Sequence, residues 1–206
     1  MKSSLHKGKL FIISGPSGTG KGTICNRLRE TMDIDISVSM TTRQPRNGEV
    51  DGKSYYFVTK EKFLEEIEKG ELLEHAEVYG NYYGTPKQKV LEKLEQGRDV
   101  ILEIEMQGAL NVKKNYPDGV AIFILPPSLS LLRERLEGRG TETEEAVNMR
   151  LSQTLSEISV MDKYDYYVIN DEVDAATERV KAIFSAEHSK VAEDVYDLIE
   201  RYKEEK

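Results

Sequence analysis

Short apolar runs alternate along the chain with segments whose apolar residues recur every three or four positions. Four runs are apolar throughout and are predicted to be buried strands of a parallel sheet: residues 10–13, 100–102, 120–125 and 166–169. Helical spacing follows the first run at Ile24, Leu28 and Met32, and further helical patterns separate the later runs. The alternation predicts an α/β fold, with helices on both faces of a parallel sheet.

Residues 36–83 follow a different pattern, in which Ser, Thr, Arg, Gly and Tyr surround short strand-like pieces such as residues 55–58. One helix is expected around Phe63 and Ile67, ending at Gly70. We therefore predict a small insertion over residues 37–88 within a core domain of residues 1–36 and 89–206. Thr85 and Pro86 are expected to open the next helix, with Thr85 as its N-cap and Gly97 at its end.

Composition excludes several classes of protein. The 206 residues suit one core domain with a modest insertion rather than two large domains. Against 37 acidic side chains there are 29 basic ones, a net charge of −8, which disfavours a general polyanion binder, and no nucleic-acid partner is expected. No apolar run approaches the roughly 20 residues of a membrane span, so we expect no membrane partner and a cytoplasmic location. The single cysteine, Cys25, forms no internal disulfide and is expected in the core.

A glycine-rich segment with the character of a phosphate-binding loop lies between the first apolar run and the first helical pattern. It consists of Gly15, Pro16, Ser17, Gly18, Thr19, Gly20, Lys21, Gly22 and Thr23. Glycines let backbone N–H groups approach phosphate oxygens, the helix start favours anions, and lysine adds a mobile charge. The position after a strand and before a helix is the one that a P-loop requires. The usual Ser or Thr is replaced by Gly22, which weakens the assignment of Thr23 as a magnesium ligand but keeps the loop intact.

Two groups of arginines could stabilise the charge of a transferred phosphoryl group. The first contains Arg43 and Arg46 among the hydroxyl side chains of residues 37–46. The second runs from Arg133 and Arg135 through Arg139 to Arg150. Taken singly, each arginine is better explained as a solvated charge on a helix face, but the phosphate-binding loop in the same chain favours the functional interpretation.

Glycines on both sides of Arg139 predict a mobile turn. Thr141 and Glu144 are expected to form a capping box, which opens a helix with Val147, Leu151, Leu155 and Ile158 on one face. We predict a lid over about residues 137–150. Near the end of the chain, Val191, Val195, Leu198 and Tyr202 predict an amphipathic helix packed on the sheet, a dimer contact being the alternative.

Seven segments in succession resemble the guanylate kinase family along nearly the whole chain. They read GPSGTGKGT, SVSMTTRQPRNGEVDGKSYYF, LLEHAEVYGNYYGT, ILEIEMQG, FILPPS, RLEGRGTETEE and VIND. The resemblance implies a P-loop core, a GMP-binding insertion and a lid that close over two nucleotides. It implies that Mg-ATP and GMP, and also dGMP, are the substrates, that ADP and GDP are the products with GMP, and that the enzyme acts in purine nucleotide metabolism.

The resemblance also implies roles for individual residues. Lys21 and the rest of the loop would hold ATP, with Asn170 and Asp171 near its adenine. Arg135, Arg139 and Arg150 would surround the transferring group. The phosphate of GMP would be held by Ser39, Arg43, Arg46, Tyr55 and Tyr83, and its guanine by Glu74, Thr85 and Glu103.

Glu74 also has a physical reason to select guanine. Guanine presents two adjacent donors, N1–H and N2–H₂, to a carboxylate, whereas adenine presents a bare acceptor. Glu103 and Glu105 stand at the carboxyl end of a predicted strand, where a carboxylate near magnesium belongs. Many family members carry aspartate at both positions. We expect Thr23 and Glu105 to contact Mg²⁺, directly or through water.

Two other functions stay open from the residues. A kinase of the same architecture could act on AMP, a pyrimidine monophosphate or a ribose phosphate, but Glu74 and Thr85 disfavour that acceptor site. A non-catalytic guanylate-kinase-like interaction module would typically lack the phosphate loop or the lid arginines. We expect a monomer or a weak homodimer.

Overall fold

The computed structural model describes residues 7–78, 80–137, 144–191 and 195–205. The elements, in chain order, are β1 (Leu10–Ser14), α1 (Lys21–Thr31), β2 (Asp35–Ile36), β3 (Met40–Thr41), β4 (Tyr56–Phe57), α2 (Lys60–Glu68), β5 (Leu72–Val78), β6 (Asn81–Pro86), α3 (Lys87–Glu95), β7 (Val100–Glu103), α4 (Met106–Asn115), β8 (Val120–Leu125), α5 (Leu129–Glu137), α6 (Glu144–Ile158), β9 (Tyr166–Ile169), α7 (Val173–His188) and α8 (Val195–Glu204). None of the helices in these ranges is long and apolar enough to cross a membrane.

The central sheet has five parallel strands in the order β2-β7-β1-β8-β9. This confirms the predicted α/β class and the four predicted strands. The fifth strand, β2, was missed because it has only two residues, neither fully buried, at the edge of the sheet.

Side chains of β1 alternate between two cores, one on each face of the sheet. Phe11 and Ile13 belong to the core that α1 and α7 cover, and Cys25 is buried there as predicted. Leu10 and Ile12 belong to the core that α3 and α4 cover. Both faces of the sheet are therefore occupied by helices, which leaves its carboxyl-terminal edge for a site.

A second, four-stranded sheet has the order β4-β3-β6-β5, and all its strands lie between residues 40 and 86. Antiparallel pairing joins β5 to β6 and β6 to β3, whereas β3 and β4 are parallel. The predicted helix of this segment is α2, which buries Phe63. As predicted, it ends before Gly70, which has a φ of 68° and donates its N–H to the carbonyl of Ile67.

The prediction that Thr85 caps a helix is wrong. Thr85 lies within β6, and α3 begins at Lys87 after Pro86. The Thr85 side chain is fully buried and donates to Glu74, so it is not available to the helix. The predicted end of α3 is confirmed, since the Gly97 N–H donates to the carbonyl of Leu94 at a φ of 76°.

Two predictions about helix faces need correction. In α6, Leu155 is 57% exposed while Thr154 is buried, because the helix packs on α5 through Val147 and Leu151. The expected packing of the last helix on the sheet is also wrong, since Tyr202 is 62% exposed and other helices cover both faces of the sheet. The predicted capping box includes Thr141, which lies outside the described residues.

Candidate active site

A cavity of about 370 Å³ lies where the carboxyl ends of β1 and β7 face the second sheet and α6. Its volume is within the usual range for small-molecule sites, and a parallel sheet places ligands at this edge. Ten residues that the sequence singled out line the cavity: Gly15, Ser17, Lys21, Ser39, Tyr55, Glu74, Tyr83, Glu103, Glu105 and Arg150. Four separate parts of the chain thus converge on one cleft: the loop after β1, the segment of the second sheet, the end of β7, and α6.

The glycine-rich loop joins β1 to α1 and forms the floor of the cleft. Gly15, Gly18 and Gly20 have φ values of 140°, 87° and 87°, which residues other than glycine rarely adopt. Lys21 donates from Nζ to the carbonyls of Gly15, at 2.6 Å, and Pro16, at 2.9 Å. Desolvation lowers the pKa of the Lys21 ammonium, and the nearby Glu103 carboxylate opposes this effect. The ammonium is therefore held inside the loop, next to the space that phosphates would fill.

Asn170 supports this loop from beneath. It is buried, and its Nδ2 donates to the carbonyl of Thr19 at 2.7 Å. The main-chain carbonyl of Asn170 accepts a 3.1 Å hydrogen bond from Arg135 Nη2. The next residue, Asp171, is exposed and pairs with Arg179 at 2.7 Å, which holds the pKa of the Asp171 carboxyl below its ordinary value. Asn170 therefore links the loop to Arg135, a predicted catalytic residue. Asn170 and Asp171, the two residues predicted to lie near adenine, do not line the cavity.

Of the lid arginines, Arg150 makes the most direct approach to the loop. Its Nη1 donates to Ser17 Oγ at 2.8 Å. Arg133 instead binds Asn148 on the exposed surface, at 2.6 Å. Arg139 lies outside the described residues.

The side of the cleft that the second sheet forms contains a buried acid. Glu74 lies on β5, is 6% exposed, and accepts a 2.7 Å hydrogen bond from Thr85 Oγ1 through Oε1. Burial raises the pKa of the Glu74 carboxyl to about 7, and the Thr85 hydrogen bond opposes this rise. A Cβ atom at Gly108 would stand 2.6 Å from Glu74 Oε2, so glycine at 108 leaves room for the acid. This carboxylate is placed to accept hydrogen bonds from a base.

Arginine and tyrosine side chains gather beside this acid. The Arg43 guanidinium lies 5.4 Å from the centre of the Tyr55 ring, and the Tyr55 and Tyr83 rings are 6.1 Å apart. Glu49, which the sequence gave no reason to select, pairs with Arg43 at 2.8 Å and accepts from the backbone N–H of Arg46 at 2.7 Å. This pairing raises the pKa of Arg43. The arrangement suits a phosphate, although the Arg46 side chain is exposed and neither arginine lines the cavity.

The remaining acids of the cleft differ in what they contact. Glu105 caps α4, accepting from the backbone N–H groups of Gln107, at 2.7 Å, and Gly108, at 2.5 Å. Glu103 is reached by solvent but has protein on most sides, and this partial desolvation raises the pKa of its carboxyl while Lys21 opposes the rise. Thr23 is exposed and lines a different recess, beside Arg27 and Asp174.

The positions of Glu103, Glu105 and Thr23 decide which of them could contact a nucleotide-bound Mg²⁺. Within the ranges that the structure describes, no three His, Cys, Asp or Glu side chains form a metal-binding group. A nucleotide-bound Mg²⁺ needs only one or two protein oxygens besides phosphates and water. Glu103, beside Lys21 in the cleft, fits that requirement better than Thr23 or the helix-capping Glu105.

Sequence reasoning missed three residues of α6 that line the cleft, Gln153, Thr154 and Glu157. Burial raises the pKa of the Glu157 carboxyl, and Lys21 opposes the rise. Helical spacing could have found them, since they follow Arg150 by three, four and seven positions on one face.

Comparisons with known proteins agree over most of the chain. A family model described as guanylate kinase matches residues 7–187. A guanylate kinase of Halalkalibacterium halodurans is 55% identical over 198 residues, which cover 96% of this chain and 95% of that protein. One of Clostridioides difficile is 52% identical over 202 residues, 98% of each chain. The crystal structure of a guanylate kinase from Anaplasma phagocytophilum superposes with a TM-score of 0.76 at 36% identity, covering 90% of this chain and 89% of that one.

Proposed function

The chain belongs to the guanylate kinase family and is an ATP:GMP phosphotransferase, and we propose that the cleft described above transfers the γ-phosphoryl group of Mg-ATP to GMP. The observation that carries this proposal is that Lys21 and the buried Glu74 line the same cavity. A donor phosphate on the loop would thereby face a guanine nucleotide held by the second sheet. ADP and GDP would be the products.

On the donor side, residues 15–23 would hold the phosphates of ATP. Lys21 would leave the carbonyls of Gly15 and Pro16, which it binds at 2.6 and 2.9 Å, and move to the phosphate oxygens. A charge-assisted bond to an anion is stronger than one to a neutral carbonyl, so the exchange is favourable. Asn170 would keep the loop in shape during it, through Thr19.

On the acceptor side, Glu74 would accept from guanine N1–H and N2–H₂ while Thr85 fixes its orientation. The phosphate of GMP would lie among Ser39, Arg43, Arg46, Tyr55 and Tyr83. Since dGMP presents the same guanine and phosphate groups, we propose that it is also an acceptor.

Transfer would depend on positioning and on neutralising charge. Arg150, already 2.8 Å from Ser17 Oγ, would move to the transferring group, together with Arg135 and Arg139. When bound, Mg²⁺ would neutralise charge on the donor phosphates, with Glu103 as the best-placed protein oxygen and Glu105 or Thr23 acting through water. The acceptor phosphate is already an anion, so no general base is needed.

The domain organisation would serve the same positioning of the two nucleotides. We propose that residues 37–88 move as one unit against residues 1–36 and 89–206, and that residues 137–150 close as a lid and exclude water. We further propose a cytoplasmic enzyme of purine nucleotide metabolism, monomeric or weakly dimeric, with no nucleic-acid or membrane partner.

A coupled ADP-release assay with GMP, dGMP, AMP, UMP and CMP tests the proposal. We expect turnover with GMP and dGMP, and at most a few per cent of that rate with AMP and the pyrimidine nucleotides, because Glu74 penalises a base without adjacent donors. Faster turnover of AMP than of GMP would assign the cleft to another acceptor. No turnover with any of the five would leave the kinase proposal without support.

A further inference from the structure

The second sheet separates the active-site cleft from a recess of about 330 Å³ on its other face. Neighbouring side chains along an extended segment point to opposite faces, so Tyr55 lines the cleft while Tyr56 lines the recess. Ser37 and Pro86 also line the recess, and they lie near the two ends of the insertion, residues 37–88. The recess is therefore at the boundary between the insertion and the core domain, behind the cleft.

One contact crosses this boundary at the recess. Lys89 Nζ donates a 2.7 Å hydrogen bond to the Tyr56 hydroxyl and lies 4.0 Å from the centre of the Tyr56 ring. The ammonium is thus bound both as a hydrogen-bond donor and as a cation beside an aromatic ring. Lys89 is on α3 and Tyr56 is on β4, so the contact joins the core domain to the insertion.

The helix that carries Lys89 is fixed to the core domain. Val90 and Leu94 of α3 are buried in the core that β1 and β7 share. One turn after Lys89, Lys93 pairs with Asp35 of β2 at 2.7 Å. A movement of the second sheet away from α3 would therefore leave Lys89 behind.

We propose that the Lys89–Tyr56 contact stabilises the open arrangement of the insertion and thereby lowers the affinity for GMP. This inference rests on the proposed function, in which the second sheet moves towards the phosphate-binding loop over bound GMP. That movement carries Tyr56 away from Lys89, so closure must break the contact. Because a ligand that needs the closed arrangement binds in proportion to the closed fraction, a contact made only in the open arrangement weakens its binding.

The sign of the effect separates this role from simple electrostatics. GMP is an anion, so removing a lysine that acted only through its charge would weaken GMP binding. Removing a lysine that keeps the insertion open would strengthen it. Both side chains are partly reached by solvent, and such contacts are modest, so we expect a change of about threefold.

Calorimetric titration of the full chain with GMP, and separately with ADP, tests the proposal. The variants are Lys89→Met, Lys89→Arg, Tyr56→Phe and the double variant K89M/Y56F. Lys87→Met is the matched control, because it removes the same charge from an exposed lysine on the same turn of α3, outside the recess.

We expect Lys89→Met to bind GMP about threefold more tightly, while ADP affinity stays within about twofold because ADP would bind the loop of the core domain. Tyr56→Phe should give a smaller increase, since the aromatic ring is kept, and K89M/Y56F should exceed K89M by little. Lys89→Arg keeps a cation and a donor, so it should bind GMP as the parent chain does. Lys87→Met should bind GMP equally or more weakly.

Unchanged or weaker GMP binding in Lys89→Met would overturn the proposal. So would an equal increase in Lys87→Met, full additivity of the K89M and Y56F effects, or an increase of the same size for ADP. The acceptor panel on the unmodified chain tests the kinase function separately. Turnover of GMP there, with no increase in GMP affinity in Lys89→Met, would refute the role of Lys89 alone, whereas a parent chain that does not bind GMP would refute both.

Discussion

Thr85 Oγ1 donates a 2.7 Å hydrogen bond to Glu74 Oε1, and the two side chains are 0% and 6% exposed. The hydrogen bond favours the ionised acid, but burial outweighs it and raises the pKa to about 7. Without a nucleotide, Glu74 is therefore a carboxylate whose ionisation is unfavourable. A guanine that donates two hydrogen bonds would supply the missing partners.

Replacing Glu74 with Gln tests this recognition. The amide keeps the size and one acceptor but presents a donor where guanine also donates, which costs on the order of 3 kcal/mol. We expect GMP turnover, as kcat/KM, to fall at least about 100-fold, while ADP affinity stays within about twofold. Steady-state kinetics and calorimetry make the comparison, and equal damage to both nucleotides would show that Glu74 is misassigned.

The same substitution should change how stability depends on pH. The pKa of Glu74 is about 7 in the folded chain and near 4.5 when unfolded, so the unfolded state loses its proton first as pH rises. Stability from this residue is present in full below pH 4.5 and is lost as pH rises towards and through 7, by up to about 3 kcal/mol. In urea unfolding without nucleotide, the free energy of unfolding of Glu74→Gln should rise relative to that of the parent chain between pH 5 and pH 8. A constant difference over that range would contradict the raised pKa.

Gly108→Ala should damage GMP binding without touching the nucleotide itself. Its Cβ would stand 2.6 Å from Glu74 Oε2, so the acid must move. We expect GMP affinity to fall about tenfold or more, even though alanine is the better helix former. Gln107→Ala, at an exposed position on the same turn of α4, is the matched control and should bind GMP normally. Calorimetry on both variants decides, and normal GMP affinity in Gly108→Ala would place guanine elsewhere.

The sheet could be predicted because its strands are continuous apolar runs. β2 was missed because its two residues owe their conformation to pairing with β7, a long-range contact that no local pattern records. Thr85 was misplaced for a related reason. Thr-Pro is a helix-start signal, and long-range contacts override it, namely the pairing of β6 with β5 and the hydrogen bond to Glu74.

The residues of the candidate site also divide into those that a local motif identifies and those that only long-range contacts bring together. Residues in contiguous motifs, such as the loop around Lys21, could be found because the chemistry is local. Glu49 could not, since its pairing with Arg43 arises only after folding. For Asn170, resemblance alone suggested a role near adenine, whereas the contact with Thr19 lies beneath the loop.

Asn170→Ala separates these two roles. Loss of the Thr19 contact leaves a buried carbonyl unpaired, which should destabilise the chain by about 1–3 kcal/mol and loosen the loop. We expect ADP and other nucleoside diphosphates, including those without adenine, to lose affinity by similar factors. Asp171→Asn breaks only an exposed ion pair and serves as the control, with little change expected in stability. A loss confined to adenine nucleotides would support the adenine role instead.

Lys21→Met should separate catalysis from folding. The Lys21 ammonium is desolvated and its pKa is lowered, so at neutral pH its charge lowers the stability of the empty protein, while two carbonyl contacts offset part of this effect. Methionine removes the charge and keeps much of the volume. Urea unfolding without nucleotide should therefore show a chain at least as stable as the parent, and the coupled assay should show turnover reduced at least about 100-fold, since a donor to the phosphates is gone. Near-normal turnover would refute the kinase mechanism. A large loss of stability would mean that the Lys21 ammonium stabilises the loop itself, rather than being held there to bind phosphate.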